Sequence, residues 1–120
     1  MEARAVLDRS TIHYLSSRRA ADAGVILAPS TSVGSELGFL IVGCTFTADA
    51  GTAPGSVRLG RSWDTSHTKP TPNGQAVIRD SALGGHIRSG EPWGAAATTH
   101  RPYSPSGNRL YEHCNTGPGR

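Results

Sequence analysis

The sequence predicts an all-β chain wound as a right-handed parallel β-helix, a single-stranded solenoid. Three observations lead there. Glycine and proline fill about one position in five, with 15 Gly and 8 Pro in 120 residues, a density that interrupts long helices. Five short apolar runs, Ala5–Ile12, Gly24–Ala28, Phe39–Phe46, Ser56–Gly60 and Ala76–Leu83, are each bounded by Gly, Pro, Ser or Asn. They are too short for typical helices and rich in Val, Ile, Leu and Thr, which favours strands. The runs also repeat: Leu7 to Ile41 is 34 residues and Ile41 to Ile78 is 37.

Each run reads as one strand, and the connections carry turn chemistry: Pro29-Ser30, Ala53-Pro54-Gly55, Pro70-Thr71-Pro72-Asn73-Gly74 and Gly84-Gly85. The first, third and fifth runs share a template of an aliphatic residue, two variable residues, a small residue, one variable residue and a large apolar residue. Stacked coils would then place Ser10, Cys44 and Ser81 in a small-residue ladder and Ile12, Phe46 and Leu83 in an apolar one. The intervening runs keep phase, with Ile26 19 residues after Leu7 and Leu59 18 after Ile41. Chance matches to a loose template in a β-rich chain are the competing account. Coils are expected over about residues 5–90. The irregular stretch Glu91–Thr99, one further strand within Asn108–Asn115 and the terminal Thr116–Arg120 would wrap the last coil from about 91 to 120.

Composition excludes several classes. No apolar run nears the roughly 20 residues that span a bilayer, and Met1–Val6 lacks the apolar core of a signal peptide. Two cysteines, Cys44 and Cys114, are neither a disulfide scaffold nor a four-ligand zinc site. Net charge is +3 with a pI near 9.3, but Arg18-Arg19 is the only basic pair. With no aromatic–basic interleaving, nucleic acid is not the expected partner. The five histidines, His13, His67, His86, His100 and His113, lack metal-ligand spacing, so neither a metal nor another cofactor is expected.

The stretch Val57-Arg58-Leu59-Gly60-Arg61-Ser62-Trp63-Asp64 carries the chemistry. Alternate residues of a strand share a face, so Arg61 and Trp63 point one way. An indole packs on a sugar ring and a guanidinium grips a carboxylate, which suits a sugar acid. An Arg stacked on a Trp at a strand end without any ligand is the alternative. Trp93 is a weaker groove candidate, with core anchoring as its alternative. Asp8 and Asp80 are expected to be exposed, and Asp64 to form a structural ion pair with Arg61 or Arg58. Cys44 is expected as a small buried hydrophobe and His113 as a packing residue.

Leu59-Gly60-Arg61-Ser62-Trp63 resembles the Leu-Gly-Arg-Pro-Trp signature of pectinesterases, which are right-handed parallel β-helices. Val25-Ile26-Leu27-Ala28-Pro29 resembles the family's Ile-Thr-Ala strand. Tyr111–Gly119 resembles its closing Glu-Tyr-x-Asn-x-Gly-Pro-Gly segment. Residues 48–57 and Trp93–Thr99 resemble a bacterial branch that includes an outer-membrane lipoprotein labelled an acyl-CoA thioester hydrolase. The resemblance implies demethylation of methyl-esterified polygalacturonate by a nucleophilic Asp, a general-acid Asp and oxyanion glutamines. Arg61 would orient the nucleophile and Trp63 would wall the sugar subsite.

Ser62 stands where the family has Pro, and the Gln-Asp and Val-Asp-Phe-Ile-Phe-Gly motifs that carry the nucleophile would precede Ala5. The expectation is therefore the C-terminal part of a pectinesterase-like domain, truncated at its N-terminal side and inactive alone. Such a piece could self-associate at the exposed β-helix end. Pectin is the expected partner, and an extracellular, periplasmic or outer-membrane setting is implied. A thioester hydrolase of the same fold and a non-catalytic glycan-binding remnant are the alternatives.

Overall fold

A computed structural model describes residues 4–16, 24–65 and 70–120. Ten strands form: β1 (Ala5–Asp8), β2 (Thr11–Tyr14), β3 (Gly24–Leu27), β4 (Phe39–Val42), β5 (Thr45–Ala48), β6 (Val57–Arg61), β7 (Gln75–Arg79), β8 (Ala82–Leu83), β9 (Trp93–Gly94) and β10 (Arg109–His113). They lie in three parallel sheets, β1-β4-β7-β10, β2-β5-β8 and β3-β6-β9. Each turn of chain visits the three sheets in order, and every strand pairs with its equivalent one turn later. This is the right-handed parallel β-helix that the repeat predicts, the usual hand for parallel crossovers.

Three of the five runs, Ala5–Ile12, Phe39–Phe46 and Ala76–Leu83, are each two strands around a corner, while Gly24–Ala28 and Ser56–Gly60 are single strands as expected. Arg9 (φ 47°), Gly43 (φ 63°), Asp80 (φ 50°) and Cys114 (φ 51°) adopt left-handed backbone at equivalent positions of successive turns. One left-handed residue turns the chain from the first sheet to the second, which period-2 patterning cannot reveal. Glycine takes this conformation without strain; other residues pay for a crowded Cβ.

Around that corner the coils stack as expected. Leu7, Ile41 and Ile78 are neighbours in register, as are Ile12, Phe46 and Leu83. Val25↔Arg58 and Leu27↔Gly60 align Ile26 with Leu59. Ile41, Phe46, Leu59, Ile78, Leu83 and Leu110 are fully buried, each stabilising the rod by about 1.5–3 kcal/mol through lost apolar surface. The small-residue ladder also forms, with one difference: Cys44 and Ser81 are buried but Ser10 is exposed. Asn115 is its unforeseen fourth rung. Ser81 Oγ accepts from the Cys44 amide at 3.0 Å, and Asn115 Oδ1 accepts from the Ser81 amide at 3.1 Å. The ladder thus carries hydrogen bonds through a corner where strand pairing lapses.

Two expectations change at the C-terminal side. Trp93-Gly94, read as irregular, is β9 and pairs Gly60↔Trp93 and Arg61↔Gly94, so the third coil continues past residue 90 to Gly94. His113, expected to pack, is exposed. The closing segment is bonded to β8: Leu83 donates to Thr116 O and Gly119 donates to Leu83 O. Cys44 and Cys114 are both free thiols.

The corner makes a sign prediction. Gly43→Ala should destabilise the fold by about 1–2 kcal/mol, because an alanine there is left-handed and its Cβ would sit 3.3 Å from Arg9 Cγ. Arg9→Gly should be neutral or stabilising despite the greater freedom of glycine when unfolded. Urea unfolding of the two variants checks this, and equal losses from both would refute the strained-corner account.

Candidate functional site

The strand β6 does not alternate cleanly. Its burial runs buried, half-buried, buried, buried, half-buried from Val57 to Arg61. The cause is a shared acceptor: the Leu59 and Gly60 amides both donate to Pro92 O, at 2.8 and 3.4 Å. Pairing stays one-to-one on both sides, Leu27↔Gly60 and Gly60↔Trp93, yet Leu59 and Gly60 are both buried. Gly60 has to be small, since a Cβ there would lie 2.7 Å from Leu27 O and 3.2 Å from Trp93 Cζ3. The slip in phase brings Arg58 and Arg61, three residues apart, to the same outer face. Strict alternation would have put them on opposite faces.

Arg58 and Arg61 line an open cleft of about 380 Å³ with Gly24, Val25, Gly94, Ala95, Ala96 and His100. Gly94 makes room: a Cβ on it would stand 3.0 Å from Arg58 Cδ and 3.8 Å from Arg61 Cβ. His100 sits at the cleft with a left-handed backbone, φ 55°. The Nε atoms of both arginines are sealed from solvent and have no hydrogen-bond partner among the described residues. Among the described residues the nearest counter-charge to Arg58 is Glu91 Oε2, 3.6 Å from its Nη2 and largely in solvent.

Beyond the cleft, the chain alternates again. Ser62 and Asp64 point inward and are fully buried, while Trp63 is 45% exposed and held by its amide to Pro29 O at 2.8 Å. Arg61 and Trp63 therefore lie on the outer side, yet Trp63 is outside the lining of the Arg61 cleft. Trp93 is not a groove residue: it is 7% exposed and packed within the core against Gly60. Its register opposite Gly60 sends the indole inward.

Asp64 pairs neither with Arg61 nor with Arg58. Its partner is Arg101, whose Nε donates to Oδ2 at 2.9 Å and Nη2 to Oδ1 at 3.1 Å. Ser62 Oγ at 2.7 Å and Thr99 Oγ1 at 3.0 Å complete the shell, and Arg101 Nη1 donates to Asn108 Oδ1. Burial pushes the Asp64 carboxyl up, but the bonds from Arg101, Ser62 and Thr99 outweigh it and hold it below the ordinary carboxylate value. Asp8 and Asp80 are exposed, as expected, in pairs with Arg9 and Arg79. Asp49 accepts from His13 Nε2 at 3.0 Å and from the Ser16 amide, which lower its carboxyl. Among the described residues no group of three or more His, Cys, Asp or Glu could hold a metal ion. His67 lies outside the described residues.

A right-handed parallel β-helix with an arginine cleft on one sheet defines the class: a β-solenoid with the means to hold an acidic ligand. The chain belongs to the pectinesterase family. It is 43% identical to a pectinesterase of Ralstonia nicotianae over 128 residues, covering 96% of this chain and 32% of that protein. The solved pectin methylesterase of the rice weevil matches with a TM-score of 0.83 at 27% identity, over 96% of this chain and 36% of that one. Escherichia coli YbhC, whose name provisionally assigns it acyl-CoA thioester hydrolysis, is 34% identical over 82% of this chain and 22% of its own length. Its crystal structure matches with a TM-score of 0.83. The chain spans about a third of the length of the pectinesterases it matches. No family model matches the chain.

Arg58 and His100 escaped the sequence reading as site residues. A glycine inside a strand is a signal of close backbone approach, and Gly60 in Arg58-Leu59-Gly60-Arg61 carries it. Arg101 is 37 residues from Asp64, a full coil away, so only the stacking reveals the pair.

Two pH effects follow. The Asp64 carboxyl is lowered in the folded chain, so its stabilisation is present above the ordinary carboxylate pKa and is lost as pH falls through the folded value. Arg101→Met should cost about 3 kcal/mol at pH 7, since it strands a buried carboxylate, with the loss shrinking in acid. His86 is held below its ordinary value by burial first and by His13 second. Its contribution is present when neutral and is lost as pH falls through the ordinary imidazole value towards the folded one. Thermal melts from pH 7 to 5 should therefore fall less steeply for His86→Gln than for the parent chain. Identical slopes would rule out His86 as the source.

Proposed function

We propose that the chain forms part of a pectinesterase-like carboxylic-ester hydrolase acting on methyl-esterified polygalacturonate. The observation that carries the reading is Arg61: half-buried on β6, inside the Leu-Gly-Arg-Ser-Trp motif, facing a cleft, with its guanidinium making no hydrogen bond among the described residues. A guanidinium so placed gains most when an anion meets it. Arg61 positions the nucleophilic carboxylate in its ionised form, and the exposed Trp63 offers an indole face to a sugar ring on the same outer side. The described lining of the cleft contains no carboxylate. On this reading the nucleophile and general acid are supplied by other parts of such an enzyme, and the chain by itself is inactive. Pectin, a cell-wall polymer, places the work outside the cytoplasm.

The reading extends to the end of the rod. β1, β2 and β3 stand at the edges of their sheets, and Leu7, Ile12, Tyr14, Ile26 and Leu27 beneath them are only partly buried. Further strands pairing there would cover that apolar end, either additional coils of the same domain or a second copy.

A chimera tests the catalytic reading. When this chain replaces the matched third of the Ralstonia pectinesterase, it should release methanol from methylated pectin. Arg61→Ala should lower kcat by about a hundredfold or more, the scale of losing one electrostatic stabiliser. The chain alone should release none. Turnover of an acyl-CoA in preference to pectin, or an unchanged kcat in the Arg61→Ala chimera, would reject the assignment.

A further inference from the structure

We propose that Arg101, through its fork on the buried Asp64, is a positioning residue for Arg61: it fixes the segment that walls the cleft against the strand end that carries the cleft's arginine. The proposal rests on the pectin reading, in which Arg61 meets the reacting carboxylate. It adds a residue outside the cleft lining on which that placement depends.

Arg61 is not anchored by its own side chain. Its Nε is sealed from solvent and meets no acceptor among the described residues. The aim of the guanidinium is therefore set by the backbone that bears it and by the walls it packs between. That backbone is tied to the facing segment at three points. Arg61 pairs in register with Gly94. The Ala97 amide donates to Ser62 O at 2.9 Å. Arg101 then closes the segment onto Asp64, Nε to Oδ2 at 2.9 Å and Nη2 to Oδ1 at 3.1 Å. Residues 94–101 are thus pinned to residues 61–64 at both ends and in the middle, and Gly94, Ala95, Ala96 and His100 of that segment line the Arg61 cleft. Within it the Ala96 amide donates to Arg101 O at 2.8 Å and the His100 amide to Ala96 O at 3.1 Å, so a shift of Arg101 moves both cleft residues.

The three ties are unequal. Two join neutral backbone groups. The third is charge-assisted and bidentate, and it fixes an angle as well as a distance. Asp64 is a rigid post for it: fully buried, bonded to Ser62 Oγ at 2.7 Å, with Ser62 Oγ in turn accepting from the Gly74 amide at 2.8 Å. On the other side Arg101 Nη1 donates to Asn108 Oδ1 at 3.2 Å, just ahead of β10. An ion pair that only stabilised the rod could stand anywhere along it. This one joins the two sides of a single cleft, three residues past Arg61 and one past His100. Displacing a reacting group by about 1 Å is enough to lower a rate by up to about a hundredfold.

The test uses the chimera in which this chain replaces the matched third of the Ralstonia pectinesterase. Arg101→Lys, which keeps the charge but not the fork, should lower kcat for methanol release from methylated pectin by about tenfold, within the range that small displacements produce, with KM unchanged. Arg101→Met, which strands the Asp64 carboxylate, should lose more; if it does not fold, Arg101→Lys decides alone. Gly43→Ala, at the corner between the first and second sheets, is the control for lost stability, and its kcat should match the parent's. The deciding readout is the double variant. In an Arg61→Ala background Arg101→Lys should leave kcat unchanged, because the group it positions is gone, whereas independent roles would multiply. An unchanged kcat in Arg101→Lys, or the same loss with and without Arg61, would overturn the proposal and leave the pectin reading standing. A loss in Gly43→Ala equal to that of Arg101→Lys would overturn it too. No methanol release from the parent chimera would overturn the pectin reading and this proposal with it.

Discussion

The stacking of inward-facing residues in register governs everything else in this molecule. Isolated four-residue strands have no stability of their own, and each becomes useful only because an equivalent strand lies one turn away. Leu7, Ile41 and Ile78, and likewise Ile12, Phe46 and Leu83, superpose because the backbone ladders fix them at strand spacing. The interior is therefore narrow and continuous. A change in one rung is felt by the rung above and the rung below, but little further.

That constraint also explains where polar chemistry can sit. Most of the buried polar side chains are saturated, with His86 Nε2 an exception among the described residues. Asp64 meets the condition with four hydrogen bonds from three residues, and the Cys44–Ser81–Asn115 ladder meets it with backbone bonds. The outside follows a different rule. On the outer face of β3-β6-β9, two guanidinium groups go without hydrogen bonds among the described residues. The same fold thus spends one arginine, Arg101, on holding a loop to the rod, and leaves two others open to whatever lies in the cleft. The contrast in saturation, rather than the count of charges, separates structural arginines from candidate binding ones.

Much of this could be read from the chain alone, and the failures share a cause. The period was legible because Leu7, Ile41 and Ile78 recur with the same flanking pattern, and the motif at Leu59–Trp63 was legible because it is contiguous. The corners at Arg9, Asp80 and Cys114 were not, since nothing in those residue types announces a left-handed backbone. Only Gly43 hints at it. Trp93 misled for a related reason: an aromatic in a Gly/Ala-rich stretch looks like a loop anchor or a groove wall until its register against Gly60 is known. Arg101 is joined to Asp64 only through the stacking of coils. Sequence reading recovers what is periodic or contiguous; it misses what depends on one dihedral or on the neighbour one turn away.

The break in alternation at Leu59–Gly60 ties the cleft to the rod. Without it, β6 would alternate from Val57 to Arg61, and Arg58 would face away from Arg61. With it, both residues turn outward together, and the cost is a strand that must carry glycine at position 60 and accept a shared carbonyl at Pro92. A β-ladder selected only for stability would avoid the irregularity, because a shared acceptor leaves one amide poorly bonded. Its presence in the middle of the motif that defines the family resemblance, beside the one cleft where arginines lack partners among the described residues, is what a binding role requires. The break in alternation sets two cations side by side.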